Sequence, residues 1–144
     1  MKQAIILMKR TSITIAFFLL TVAVVWPAAA PSDEDARATA VQWLALLDSG
    51  QYVTAYKKQP PRILTYGHED QWLSWMRSRR APFGRAKTRA FSRVRHSHTL
   101  NGAPDGNYEF IEFKSSFERK ATCLEVVTLT SETGRWQVSG YRVW

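Results

Sequence analysis

The chain of 144 residues has one cysteine, Cys123, so no intramolecular disulfide can form and the core must hold itself together by packing. It has no uninterrupted apolar run of the ~20 residues that a spanning helix needs. No acid precedes Asp33, and none interrupts the stretch from Arg77 to Arg95. Catalytic signatures are missing too: there is no nucleophile elbow, phosphate loop, His-Glu-x-x-His or paired-cysteine motif, and no close pair of carboxylates in one motif. No internal repeat or low-complexity linker divides the chain, and its length suits one domain rather than a two-domain enzyme. What is present is a hydrophobic share of 45% with 12% aromatics, enough to close a compact core and too much for a disordered chain. The net charge is +8, and part of it lies in the first 30 residues as Lys2, Lys9 and Arg10, so the remainder is basic without being extreme.

Lys9 and Arg10 precede the uncharged 14-residue run Ile13 to Trp26, and Ala28 and Ala30 then give a small-x-small pattern. Residues 1–30 therefore read as a signal peptide and the protein as exported, periplasmic or secreted. Pro31 would make a poor scissile bond. If cleavage fails, the segment becomes an anchor that tethers the domain to the inner membrane. Met8, followed directly by Lys9 and Arg10, would serve as well as Met1 to begin such a leader. No cysteine lies near the cleavage region, which excludes acylation of a new N-terminus.

Residues 31–144 read as a single domain of three helices followed by four strands. Ser32 is an N-cap with Asp33, Glu34 and Asp35 in the first turn, and Ala36, Ala40, Trp43, Leu44 and Leu47 keep helical spacing up to Ser49 and Gly50. Gln51 to Lys58 predicts a short helix stopped by Pro60 and Pro61. Glu69 to Arg79 predicts a third, acidic at its start and basic at its end, with Trp72, Leu73 and Met76 on its core face and Trp75 at the margin. After Gly84 the period changes to two. Arg85, Lys87, Arg89, Arg93 and Arg95 share one parity, which predicts a strand with one basic face. The turn formers Asn101 to Asn107 then lead to Tyr108 to Phe117, and two further strands cover Thr122 to Thr130 and Arg135 to Trp144. Gly140 marks a bulge, because Trp136 and Val138 have one parity while Tyr141 and Val143 have the other. The fold class is α+β: N-terminal helices packed on one face of a curved four-stranded antiparallel sheet, an order that suits a cone-like fold.

The stretch Trp43-Leu44-Ala45-Leu46-Leu47-Asp48-Ser49-Gly50-Gln51-Tyr52 resembles a short signature of the bacterial family named domain of unknown function 4019. Arg80 to Gly84, Gly102 to Gly106, Phe117, Gly134 to Trp136, Gly140 and Tyr141 agree with it, so the likeness runs from about residue 36 to the end. Asn101 stands where a proline would be expected. The resemblance implies an exported bacterial protein and carries no catalytic residue over to this chain. With the element order, it points to a nuclear-transport-factor-2-like or cystatin-like fold.

Three groups of residues are candidates for chemistry. His96 and His98 lie two apart on a strand and so point to one side, a spacing that can supply two metal ligands, though no third ligand is evident and ordinary surface residues are the favoured reading. Glu125 lies among apolar neighbours in Cys123-Leu124-Glu125-Val126-Val127. It is either a cavity general acid or base, or a carboxylate paired with Arg89 or Arg93 on a neighbouring strand, and the pairing is favoured. The basic residues Arg85, Lys87, Arg89, Arg93 and Arg95 could engage an anionic envelope component, or remain a solvated face. Asp48 reads as loop or cap chemistry, Cys123 as a buried inert thiol, and the tryptophans as core and cavity lining. These features favour a non-enzymatic binding module for a small ligand, an envelope component, a protein partner or a second copy of itself. The alternative is a small hydrolase or isomerase using Glu125 with His96 or His98. No cofactor, metal or nucleic-acid partner is expected.

Overall fold

The structure, a computed structural model, describes residues 31–144; the signal-peptide reading of residues 1–30 falls outside the described residues. Helix α1 (Asp33–Asp48) opens with the N-cap anticipated at Ser32, which the structure extends to a capping box: the Ser32 hydroxyl accepts from the Asp35 backbone N–H while the Asp35 side chain accepts from the Ser32 backbone. It stops at Ser49, and Gly50 takes φ +77°, the left-handed conformation that glycine adopts without strain. Helix α2 (Tyr52–Lys57) follows directly. The Trp43 indole N–H donates to the Ala55 carbonyl at 2.9 Å and ties α2 to α1.

Four helices precede the sheet rather than three. Pro60 and Pro61 end α2 as expected, but Pro61 is also the first residue of α3 (Pro61–Tyr66), where a missing N–H costs nothing and the fixed φ favours the helix. Helix α4 (Glu69–Arg80) runs one residue further than its periodicity suggested and passes through a 3-10 turn, Ala81–Phe83, into the sheet.

Strands β1 (Ala86–Ser97), β2 (Tyr108–Phe117), β3 (Lys120–Thr130) and β4 (Gln137–Val143) form one antiparallel sheet in the order β1-β2-β3-β4. Its inner face, from Ile111, Phe113, Val127, Leu129, Val138 and Tyr141, packs against Ala36, Ala40, Trp43, Leu44 and Leu47 of α1. Met76 of α4 joins this core, with Trp72 partly buried at its margin. Near the start of α1, the Trp136 indole donates to the Ser32 carbonyl at 2.9 Å and fixes the helix to the sheet.

Two bulges decide which side chains reach which face. In β4, Val138 faces Leu129 but Gly140 faces Thr128, so one extra residue sits between them and Tyr141 returns to the core, as the parity change at Gly140 foretold. In β1, Phe91 faces Phe113 but Arg93 faces Glu112, so Ser92 is extra. This second bulge overturns the single basic face. Arg89 and Phe91 point toward the helices, whereas Arg93 and Arg95 point to the outer face; an earlier irregularity at Lys87 separates Arg85 and Lys87 from both sets.

The core account predicts a contrast within one helix. Leu44→Ala, at a site with no exposure, should cost about 2–5 kcal/mol, while Val41→Ala, at a site 47% exposed, should stay within about 0.5 kcal/mol in urea denaturation.

Candidate functional site

Glu125 of β3 is fully buried, and four side chains satisfy its carboxylate. Arg89 grips it with two hydrogen bonds, Nε to Oε2 at 2.6 Å and Nη2 to Oε1 at 3.1 Å. The Ser115 hydroxyl donates to Oε2 at 2.5 Å and the Tyr141 hydroxyl to Oε1 at 2.6 Å, while Arg80 Nη1 lies 3.5 Å from Oε1. Both arginines also reach Asp48 at the end of α1: Arg89 Nη1 sits 2.8 Å from Oδ2, and Arg80 Nη2 bonds Oδ1. Two carboxylates thus meet two guanidinium groups with no net charge left over, which is what a buried ionic cluster requires. The Arg80 guanidinium also lies over the rings of Phe117 and Tyr141.

Each member behaves accordingly. Burial opposes the Arg89 charge, but the carboxylates of Glu125 and Asp48 outweigh that effect and hold it firmly protonated. Burial, together with the Glu125 charge, keeps the Tyr141 phenol neutral well beyond its ordinary range. Of the two sequence readings of Glu125, the structure contains the paired one, with Arg89 rather than Arg93 as partner. Every acceptor position of the carboxylate is directed at the protein's own donors. The histidines do not join it: His96 faces Glu109 and Glu125 faces Phe113, four residues apart along β2, or about 13 Å. Asp48, read as cap chemistry, is instead the outer rim of this cluster, and Arg80, read as part of a solvated basic run, is 5% exposed.

On the outer face the surroundings change. Arg93 Nε and Arg95 Nε converge on Glu112 at 2.7 and 2.8 Å, and their hydrogen bonds, Arg93's first, hold the Glu112 carboxyl below its ordinary range. The Arg95 guanidinium lies over the Phe110 ring, 5.0 Å from its centre. Beyond it a broad cleft of about 1050 Å³ runs toward the β4 edge, lined by Arg79, Arg95 and Arg142, by Trp75, Phe110, Tyr141 and Trp144, and by smaller groups, with no carboxylate side chain among them. Trp75 and Trp144 are 43% and 53% exposed, so these two tryptophans border the cleft and stay out of the core. Of the five basic residues of β1 and its approach, Arg95 alone lines this cleft. Arg85 pairs with Glu118 at 2.8 Å, Arg89 is committed to the inner cluster, Arg93 stops at Glu112, and Lys87 is exposed at the irregular edge.

His96 follows Arg95 near the end of β1 and points to the other face, and His98 lies just beyond the strand. Both line a smaller cavity of about 210 Å³ with Glu109 and Trp136. Glu109, which sequence reasoning passed over, is directly across from His96. Burial, then the neighbouring charge of Asp33, pushes its carboxyl up to about 7. Cys123 is buried, and burial pushes its thiol up, consistent with an inert packing role.

The structure is therefore an α+β domain with an internally neutralised charge cluster beneath one sheet face and an arginine and aromatic cleft on the other. A family model described as protein of unknown function (DUF4019) matches residues 39–141, and the chain belongs to this family. No curated protein and no solved structure matches the chain significantly.

Glu112 gives a pH test with a defined sign. Its folded-state pKa lies below its unfolded value, so the stability it contributes is present above the ordinary carboxylate pKa and is lost as the pH falls through the lowered one. Glu112→Gln should flatten this part of the acid limb in denaturation midpoints measured from neutral to acid pH. An unchanged slope would show that the two arginines do not hold the carboxylate.

Proposed function

We propose that the domain is a non-enzymatic binding module whose outer-face cleft takes an amphipathic anion, a small ligand or envelope lipid with a carboxylate or phosphate head and an apolar body. The observation that carries this reading is the lining of the cleft: Arg79, Arg95 and Arg142 with four aromatic rings, where of the three arginines Arg95 is the one paired with a carboxylate, Glu112, among the described residues. Arginine suits this role because its planar fork matches carboxylate and phosphate oxygens bidentately. The rings supply apolar contact, and the volume is ample for a small molecule. The catalytic alternative has less behind it, since Glu125 is enclosed by its own partners and stands apart from both histidines. Export is part of the same proposal. The basic residues Lys9 and Arg10, the uncharged run Ile13 to Trp26 and the Ala28-x-Ala30 pattern support a leader that would deliver the domain to the envelope, where such anions are abundant.

Titration calorimetry with monomeric dodecyl phosphate tests the reading. Saturable binding is expected, weaker by about tenfold or more for Arg142→Gln, and inorganic phosphate or dodecanol alone should bind far less well. Equal binding by the Arg142→Gln variant, or no binding of dodecyl phosphate, would contradict it.

A further inference from the structure

The small cavity lined by His96, Glu109 and Trp136 carries a separate inference, independent of the outer cleft. Three side chains from distant parts of the sequence meet there: Asp33 from the first turn of α1, His96 from β1 and Glu109 from β2. One potential ligand atom from each lies within 4.8 Å of the other two. His96 Nε2 is 3.5 Å from Asp33 Oδ2, and His96 Nδ1 is 3.7 Å from Glu109 Oε1. Two elements of the fold hold this meeting in place. The β1–β2 register puts His96 opposite Glu109, and the hydrogen bond from Trp136 to the Ser32 carbonyl sets the start of α1, and with it Asp33, against the sheet.

Glu109 gives the cluster its direction. It is 2% exposed, and its Oε2 is a buried oxygen with no hydrogen-bond partner among the described residues. Burying a carboxylate oxygen without a donor is costly, and no arginine or lysine among the described residues pairs with Glu109 in the way Arg93 and Arg95 pair with Glu112. His96 is 57% exposed at the side chain, so the mouth of the site is open.

We propose that Asp33, His96 and Glu109 form a binding site for a divalent transition-metal ion of the zinc type. One imidazole with two carboxylates is a donor set suited to such an ion rather than to calcium or magnesium, which prefer all-oxygen shells. Zinc binds nitrogen and oxygen ligands at about 2.0–2.2 Å, which puts tetrahedral ligand atoms roughly 3.4 Å apart; one His96 nitrogen would bind the ion, and the three ligand atoms, now within 4.8 Å of one another, would draw closer around it. Three protein ligands leave a fourth position, and the cavity of about 210 Å³ beside Glu109 can hold a water there. The helix start works against a cation, since the α1 dipole is positive at this end. Two carboxylate charges at the site offset it.

Zinc titrated into the metal-stripped protein, followed by calorimetry, tests the site. One equivalent should bind saturably. His96→Ala, a change at an exposed position, should weaken binding more than about 100-fold, beyond the 10–100-fold typical of changes that only support a ligand. Glu109→Gln should do the same with its far-ultraviolet circular dichroism unchanged, and His68→Ala, at the start of α4, should bind like the unmodified protein. Cobalt bound in place of zinc should give visible absorption bands that His96→Ala abolishes. Absence of stoichiometric binding, or binding that survives both His96→Ala and Glu109→Gln, would overturn the proposal.

Discussion

The fold depends on one buried ionic cluster. Asp48, Arg80, Arg89, Ser115, Glu125 and Tyr141 come from α1, α4 and all four strands, so one set of hydrogen bonds joins both long helices to the whole width of the sheet. A carboxylate with no solvent contact is tolerable only because each lone-pair position has a donor and the charges cancel. Helix α4 must therefore end where Arg80 can reach both Asp48 and Tyr141, and the bulge at Ser92 must leave Arg89 facing inward. Position and register are tied to electrostatics here more tightly than to apolar packing, which tolerates shifts in side-chain shape.

The cluster also divides the labour between the two sheet faces. By consuming Arg80 and Arg89 internally, it removes them from the surface and leaves Arg79, Arg95 and Arg142 around the rings of the cleft. Two glutamates of β2 illustrate the difference that surroundings make. Glu112, on the outer face, has two arginines and is held ionised, while Glu109, on the inner face three residues away, has none and is pushed toward neutrality. The same strand thus carries a satisfied carboxylate and an unsatisfied one, and the unsatisfied one is where the structure leaves room for a ligand.

Much of the architecture was legible in the sequence because it rests on periodicity. The five core positions of α1, its N-cap, the switch to strands after Gly84 and the bulge at Gly140 all leave local traces. What was hidden depends on contacts between distant residues. The Ser92 bulge has no glycine to announce it, so the arginines of β1 looked like one face. Arg80 stands in a run of exposed-looking arginines, and only its meeting with Asp48, 32 residues earlier, reveals its burial. Pro61 was read as a stop when it is also a start, since proline is compatible with both roles. Glu109 drew no notice because register, rather than sequence spacing, brings it to His96 and Asp33. Glu125 stands out in the sequence as an acid in apolar company, and Arg89 is one of the two neighbouring-strand arginines that the sequence offers it as a partner.

The central claim is that the cluster acts as a unit, and a double-mutant cycle between Arg80→Met and Glu125→Gln tests it most directly. Each single change leaves a buried charge uncompensated and should cost about 3–5 kcal/mol in urea denaturation. The double change should cost less than the sum of the two by about 1–3 kcal/mol, because removing both partners relieves the unpaired charge. Strict additivity would contradict the account, since it would mean that Arg80 and Glu125 stabilise the fold independently.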